Sequence, residues 1–201
     1  MAPRLDRPRL WVVAGPNGSG KSTLYDRTDI EGFGRSVWII NPDLLSSLIH
    51  QHEGSGSAQA NASALDRIRA WLDASIDAYQ TIGVETVLST DKYRDLIENA
   101  QARGFEFRLL YVFLRDVRMN IERVKLRVAK GGHSVPESKI VERRQRSFDQ
   151  LPWFLERADM ALVYDNSSSD PKLVAKKTDG IIEVDPSISR EMREIIEKTA
   201  N

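Results

Sequence analysis

Cysteine is absent from the 201 residues, which excludes a disulfide framework and every cysteine-based metal or redox centre. Histidine is sparse, at three, and His133 has no partner at metal-ligand spacing, so it reads as a hydrogen-bonding loop residue rather than a ligand. No apolar run approaches the roughly 20 residues a membrane-spanning helix needs. The first nine residues carry three arginines and two prolines but no apolar core of the kind a secretory signal requires. Neither charge sign is in excess: 29 basic residues face 29 acidic ones, for a net charge of zero. That removes global electrostatic support for nucleic acid or an anionic membrane as partner. These absences lead us to expect a soluble, cytoplasmic protein that engages no membrane. The 41% apolar content supplies the core of a single α/β domain of ordinary size, here expected to span residues 1–201.

Against that background one stretch is rich in glycine. Residues 15–22 read Gly-Pro-Asn-Gly-Ser-Gly-Lys-Ser, the pattern G-x-x-x-x-G-K-[ST] of a phosphate-binding P-loop. The apolar run 10–14 precedes it as a strand, and Thr23-Leu24-Tyr25 follows as the opening of a helix. A chance match in a chain this long has a probability of roughly 1%. The spacing follows from the chemistry. Gly15 and Gly20 let the backbone wrap a polyphosphate without a Cβ in the way. Pro16, Asn17, Gly18 and Ser19 complete a loop whose N–H groups form an anion nest. Lys21 supplies a mobile cation for the β- and γ-phosphates, and Ser22 a hydroxyl for Mg²⁺, with Thr23 next to it.

Apolar runs of strand length at 10–14, 36–40, 84–88, 107–114 and 160–164 alternate with helical stretches at 63–82, 92–103, 117–129, 137–156 and 189–198. Leu65, Ile68, Leu72, Ile76 and Tyr79 share one helical face. The Gly-Ser-Gly-Ser stretch 54–57 reads as a flexible loop, Pro152 as a helix breaker, and 180–184 as a late edge strand. Strands alternating with helices imply an α/β fold, a parallel sheet covered on both faces. Ligands of such sheets bind at the carboxyl ends of the strands. The candidates are therefore the polar residues after each strand: 15–22, Asn41 and Asp43, Ser89-Thr90-Asp91, Arg115-Asp116, and Asp165-Asn166.

Asp43 either accepts a proton from a substrate hydroxyl or caps a helix at Leu44-Leu45. Glu85 lies in the apolar strand Glu85-Thr86-Val87-Leu88-Ser89. It either orients substrate hydroxyls or a magnesium-bound water, or faces solvent at a sheet edge. Residues 123–147 form an arginine-rich pair of helical segments around Gly131-Gly132-His133. They read as a hinged lid that brings arginines to a phosphoryl group, or as a solvated basic face. An RNA or DNA patch is the third option, weakened because the run holds no aromatic residue for base stacking. Asp165-Asn166-Ser167 lies near a nucleotide base or sugar, or forms an Asx turn. Thr90-Asp91-Lys92-Tyr93 is not the Asn-Lys-x-Asp loop of a GTP-specific protein, and no switch motif follows the middle strands.

Taken together, Gly-Pro-Asn-Gly-Ser-Gly-Lys-Ser-Thr at 15–23, Asn41-Pro42-Asp43, Glu85-Thr86-Val87-Leu88-Ser89, Arg127-Val128-Ala129-Lys130-Gly131-Gly132-His133, Val135-Pro136, Arg143 and Tyr164-Asp165-Asn166-Ser167 resemble the zeta-toxin family of P-loop kinases. The resemblance covers about residues 10–170. It implies a three-layer P-loop NTPase fold, with a nucleotide-kinase-like parallel sheet and a helical arginine-bearing lid at about 123–147. It also implies ATP-dependent phosphorylation of a sugar hydroxyl, the acceptor in characterised members being a UDP-activated N-acetylamino sugar. Carried over by position, Lys21 and Ser22 hold ATP and Mg²⁺. Asp43 takes the base position beside Asn41, Glu85 and Thr86 the acceptor-binding strand, and Arg127 and Arg143 the lid. An antitoxin protein is the implied partner. The chain is shorter than the founding toxins, and its Asn-Pro-Asp differs from their usual sequence at the catalytic aspartate. A nucleic-acid end kinase, and a nucleotide-binding module without transfer to a small molecule, are the alternatives.

Overall fold

Five residues of the first strand divide between two cores. Successive strand side chains face opposite ways, so Leu10, Val12 and Ala14 enter one core and Trp11 and Val13 the other, all of them fully buried. A strand buried on both sides demands helices on both faces of its sheet. The computed structural model describes residues 7–27, 30, 33, 37–54, 56–132 and 134–199. Met1 to Asp6, Ser36 of the expected second strand, Ser55 of the expected loop and His133 lie outside the described residues.

The elements run β1 (Arg9–Ala14), α1 (Lys21–Arg27), β2 (Ile39–Ile40), α2 (Pro42–Glu53), α3 (Ser57–Asp77), β3 (Ile82–Thr86), α4 (Arg94–Ala102) and β4 (Glu106–Phe113). They continue α5 (Val117–Ala129), α6 (Glu137–Arg157), β5 (Met160–Asp165), β6 (Lys172–Thr178), β7 (Ile181–Val184) and α7 (Arg190–Glu197). The sheet order is β2-β3-β1-β4-β5-β6-β7. The first five strands are parallel, while β6 and β7 add an antiparallel edge. The chain leaves β1 toward β2 and β3 on one side and β4 and β5 on the other. The carboxyl end of β1 is thus the topological switch point, where open α/β sheets bind their ligands.

Helices α3, α4, α6 and α7 cover one face through Ile68, Leu72, Ile76, Leu96, Ile97, Leu151, Phe154 and Met192. On the other face Leu24 of α1 packs with Ile30, Phe33 and the β1 residues Trp11 and Val13. A satellite cluster of Ile121, Val124, Val135 and Ile140 holds α5 against α6. Among the described residues, no helix is long and apolar enough to cross a membrane.

The expected α/β fold with a mostly parallel sheet is present, β6 and β7 extending it as an antiparallel edge. The structure corrects several finer expectations. The expected strand 36–40 shrinks to Ile39–Ile40, because it is an edge strand paired only to Gly83 and Val84, and Asn41 already caps the next helix. That helix, α2, was legible only as a cap signal. In α3, Leu65 and Tyr79 leave the expected buried face: they are 43% and 62% exposed, and Tyr79 lies beyond the helix end with a left-handed φ of 54°. Pro152 does not end α6, which runs on to Arg157. The missing N–H is tolerated because Leu151, Phe154 and Leu155 are anchored in the core on either side of it. Strand β6 was hidden by its three lysines. Lys177 is buried, and its Nζ donates to Leu155 O (2.8 Å) and Glu156 O (2.7 Å), the terminal carbonyls of α6.

Arg144 ties α6 to α7 and to the loop after β4. Its Nη atoms donate to both Glu191 oxygens (3.1 and 2.8 Å), Leu114 O (3.4 Å) and Arg115 O (3.2 Å), and its guanidinium lies 4.2 Å from the Phe148 ring centroid. Removing it leaves buried carbonyls unpaired, so Arg144→Ala is expected to lower the unfolding free energy by about 2–4 kcal/mol. Denaturant titration reads this, and a change below about 0.5 kcal/mol would contradict it.

Candidate functional site

The loop between β1 and α1 is built to present backbone. Gly15, Gly18 and Gly20 have φ of 142°, 73° and 88°, a region that side-chain-bearing residues avoid. A Cβ at Gly15 would overlap the Val112 carbonyl oxygen of β4, and one at Gly18 would stand 2.6 Å from Asn120 O of α5. The loop is therefore pressed against its neighbours. Asn120 Nδ2 donates to Asn17 O (2.7 Å) and Asn166 Nδ2 to Ser19 O (2.7 Å), which fixes its shape from outside.

Lys21 opens α1 and is buried. Its Nζ donates to Gly15 O (2.8 Å) and Pro16 O (3.3 Å), and lies 3.8 Å from Glu85 Oε1. Burial pulls its pKa below the ordinary lysine value; Glu85 and Asp43 oppose that shift, and Arg127 adds to it. Asp43 of α2 and Arg127 of α5 thus lie within electrostatic reach of the same ammonium.

Glu85 occupies the position after Val84, which enters the α3 core, so alternation turns the carboxylate toward α1. The register Val13↔Glu85 sets it at the carboxyl end of β1. One oxygen, Oε2, accepts from Ser22 Oγ (2.8 Å), Tyr25 OH (3.1 Å) and Asn41 Nδ2 (3.2 Å). Burial and the adjacent Glu85 push the Tyr25 phenol above its usual range. The structure thus puts Glu85 inside the cluster and away from a solvent edge. Thr86, the last residue of β3, is buried, its Oγ1 accepting from Leu88 N (3.1 Å).

Asn41 caps α2: Oδ1 accepts from Asp43 N (3.0 Å) and Leu44 N (3.2 Å). The cap function falls to Asn41, which leaves the exposed Asp43 carboxylate in the first turn of α2 without that duty. Asp43 also acts on Lys92, in the loop after β3. Lys92 keeps part of its surface in solvent, yet desolvation by neighbouring atoms lowers its pKa, opposed by Asp43 and aided by Arg143 of α6. Asp43 and Arg143 thus act on the Lys92 charge in opposite directions. Sequence reasoning missed Lys92. It was considered only as part of a GTP motif, although its place after a strand was the usable signal.

Other candidates have local roles. Asp116 caps α5 through Arg118 N (2.8 Å). Asp165 accepts from Ser167 N (3.0 Å) and Ser167 Oγ (2.5 Å) and pairs with Arg115, so this segment is an Asx turn. Arg146 and Lys139 both pair with Glu142 on the exposed side of α6 (2.6 and 2.7 Å). Among the described residues no three His, Asp or Glu side chains gather as a metal cluster.

Comparison with known proteins bears on the family and the fold. An uncharacterized protein of Haemophilus influenzae is 28% identical over 143 residues, which is 65% of this chain and 94% of the relative. The toxin–antitoxin system PezAT of Streptococcus pneumoniae superposes with a TM-score of 0.64 at 16% identity, over 98% of this chain and 86% of that one. The AvrRxo1-ORF1:-ORF2 complex crystallised with ATP gives 0.68 at 16% identity, over 96% of this chain and 76% of that one. At such identities these two structures speak to the fold alone. The Zeta toxin family model matches residues 1–169, from β1 through the P-loop, Asp43, Glu85 and the arginine-bearing helices to the turn after β5, and the chain belongs to the zeta-toxin family.

Proposed function

We propose that the protein transfers the γ-phosphate of ATP to a hydroxyl of a small, sugar-containing acceptor of the UDP-N-acetylamino sugar type. The observation that carries this reading is the position of Asp43. It lies in the first turn of α2, directly after the β2 end of the sheet, and its charge favours the ammonium forms of both Lys21 in the phosphate loop and Lys92 after β3.

In this reading the loop N–H groups and Lys21 cradle the β- and γ-phosphates, with phosphate oxygens replacing Gly15 O and Pro16 O as partners of Nζ. Asp43 accepts the proton of the acceptor hydroxyl as its oxygen bonds to γ-phosphorus and the bond to the ADP oxygen breaks. Helices α5 and α6 act as the lid, with Arg127 and Arg143 stabilising charge on the transferring group. Asn41 and Glu85 hold the floor of the site, and Thr86 shapes the turn beside it. The Ser22 hydroxyl and the Glu85 carboxylate, 2.8 Å apart, are hard oxygen donors of the kind that suits Mg²⁺ and its water shell. When bound, Mg²⁺ neutralises charge on the phosphate oxygens. An antitoxin-type protein partner is the corresponding proposal from the PezAT likeness.

The depressed pKa of Lys21 yields a test of the donor half. The ammonium form is lost as pH rises through the folded-state value, which lies below 10.5. A bound triphosphate favours the charged form and raises that value again. Triphosphate binding at a pH where the free protein has lost part of this proton is therefore expected to take up protons. Calorimetry in buffers of different ionisation enthalpy, run as a pH series, measures this; absence of proton uptake across the alkaline range would contradict it.

The proposal itself is tested by screening transfer of label from γ-labelled ATP to UDP-sugars, nucleosides and 5′-hydroxyl oligonucleotides. Label on a UDP-N-acetylamino sugar supports it. Label on oligonucleotides alone would replace it with a nucleic-acid end kinase, whose binding would weaken steeply with salt.

A further inference from the structure

Two adjacent glycines follow α5, and each is there for a different reason. Gly131 has a left-handed φ of 87°, and a Cβ on it would meet nothing within 4 Å. Backbone conformation alone calls for glycine at that position. The Gly131 N–H donates to Val128 O (2.9 Å) and the Gly132 N–H to Arg127 O (3.0 Å). These are the paired bonds of a Schellman cap, in which the residue after the left-handed one folds back onto the last turn of the helix. Here it folds back onto Arg127. Gly132 itself is not in the left-handed region, so its backbone does not require glycine. Contact does: a Cβ there would stand 2.6 Å from Arg127 Cγ, 3.3 Å from Cδ and 3.0 Å from Arg127 O. The usual companion of this cap is a side chain packed on that turn, and the arginine stem occupies its place.

The loop is held at its far end. Val135 is buried with Val124 and Ile140 between α5 and α6, and Lys125 Nζ pairs with Glu137 Oε1 (2.7 Å). A side chain at position 132 would therefore displace the Arg127 stem rather than the loop. Cγ sits near the root of that stem, so the half-buried guanidinium moves with it. We propose that Gly132 is a positioning residue for phosphoryl transfer: its missing side chain seats the Arg127 stem against the end of α5 and sets how far the guanidinium reaches toward the phosphate loop. The inference rests on the lid reading above and adds the residue that fixes the lid arginine. A long stem left free spreads its charge over many rotamers, and a displacement of about 1 Å at a reacting group costs about 10²-fold in rate.

The test combines ¹H–¹⁵N spectra of arginine side chains with steady-state transfer from γ-labelled ATP to pooled UDP-N-acetylamino sugars, both on the full chain. The Arg127 Nε–H resonance is assigned by its loss in Arg127→Ala, and the backbone spectrum reports folding in each variant. Gly132→Ala is expected to shift that resonance, while Gly131→Ala, whose Cβ meets nothing, moves it less. Gly132→Ala is also expected to lower kcat about 10–100-fold with the KM for ATP within about threefold. In the Arg127→Ala background no Cγ remains to be displaced, and Gly132→Ala is expected to change kcat by less than about twofold. An unshifted resonance in Gly132→Ala, an equal shift from the two glycine substitutions, or an equal fold loss of kcat in the two backgrounds overturns the proposal. An unsubstituted protein that transfers no label overturns the transfer role together with the reading on which it rests, and the resonance then decides the seating of Arg127 by itself.

Discussion

Asp43→Asn is expected to lower the rate of phosphoryl transfer by about 10²–10⁴-fold while ATP affinity stays within about threefold. The substitution keeps the size of the side chain and removes its ability to take a proton. It leaves the architecture intact for a structural reason. The cap of α2 is Asn41, whose Oδ1 receives the Asp43 and Leu44 amides, so an amide at position 43 costs the helix no cap. Loss of the charge also removes a favourable neighbour of Lys21 and of Lys92, which is why a small change in ATP affinity is allowed. A transfer rate within a few-fold of the unsubstituted protein would take Asp43 out of the base role.

Lys21→Ala is expected to weaken ATP binding about 100-fold and to lower transfer further. The lost contact is a charge-assisted one in a desolvated place, where about 1.5–3 kcal/mol per hydrogen bond is ordinary. Folding survives because Glu85 keeps three other partners, Ser22, Tyr25 and Asn41. The buried ammonium is itself held against desolvation, so removing it relieves that strain. Calorimetric titration with ATP gives the readout, with circular dichroism as a check on folding. Unchanged affinity would mean that the loop binds no triphosphate.

Much of this was readable in the chain. The strand before the glycine loop, the loop itself and the helix after it were local patterns, and local patterns are what sequence reports well. The helices at 117–129 and 137–156 were placed within a residue or so for the same reason. What escaped depended on tertiary context. Strand β6 carries three lysines, and only the seating of Lys177 on the end of α6 explains them. Pro152 should break a helix in isolation, yet core anchors on both sides carry α6 through it. At the site, the choice between cap and base for Asp43 could not be made from the chain alone, because Asn41 and Asp43 both suit a cap. The structure assigns the cap to Asn41 by two hydrogen bonds. Position after a strand was the one signal for Lys92, and its relation to Asp43 and Arg143 stayed hidden because it joins the loop after β3 to α2 and α6, three segments distant in sequence.

The zeta-toxin relation and the fold make a phosphotransferase the natural reading, but the acceptor half is what defines the reaction. The side chains proposed for it are Asp43, Lys92 and Arg143, with Asp43 as the proposed base. The most direct test is ³¹P NMR of the protein with ATP, Mg²⁺ and pooled UDP-N-acetylamino sugars, run in parallel with Asp43→Asn. The account predicts a new phosphomonoester resonance that grows with the unsubstituted protein and is absent or strongly slowed with the variant. Orthophosphate accumulating alone, at equal rates in both samples, would contradict it.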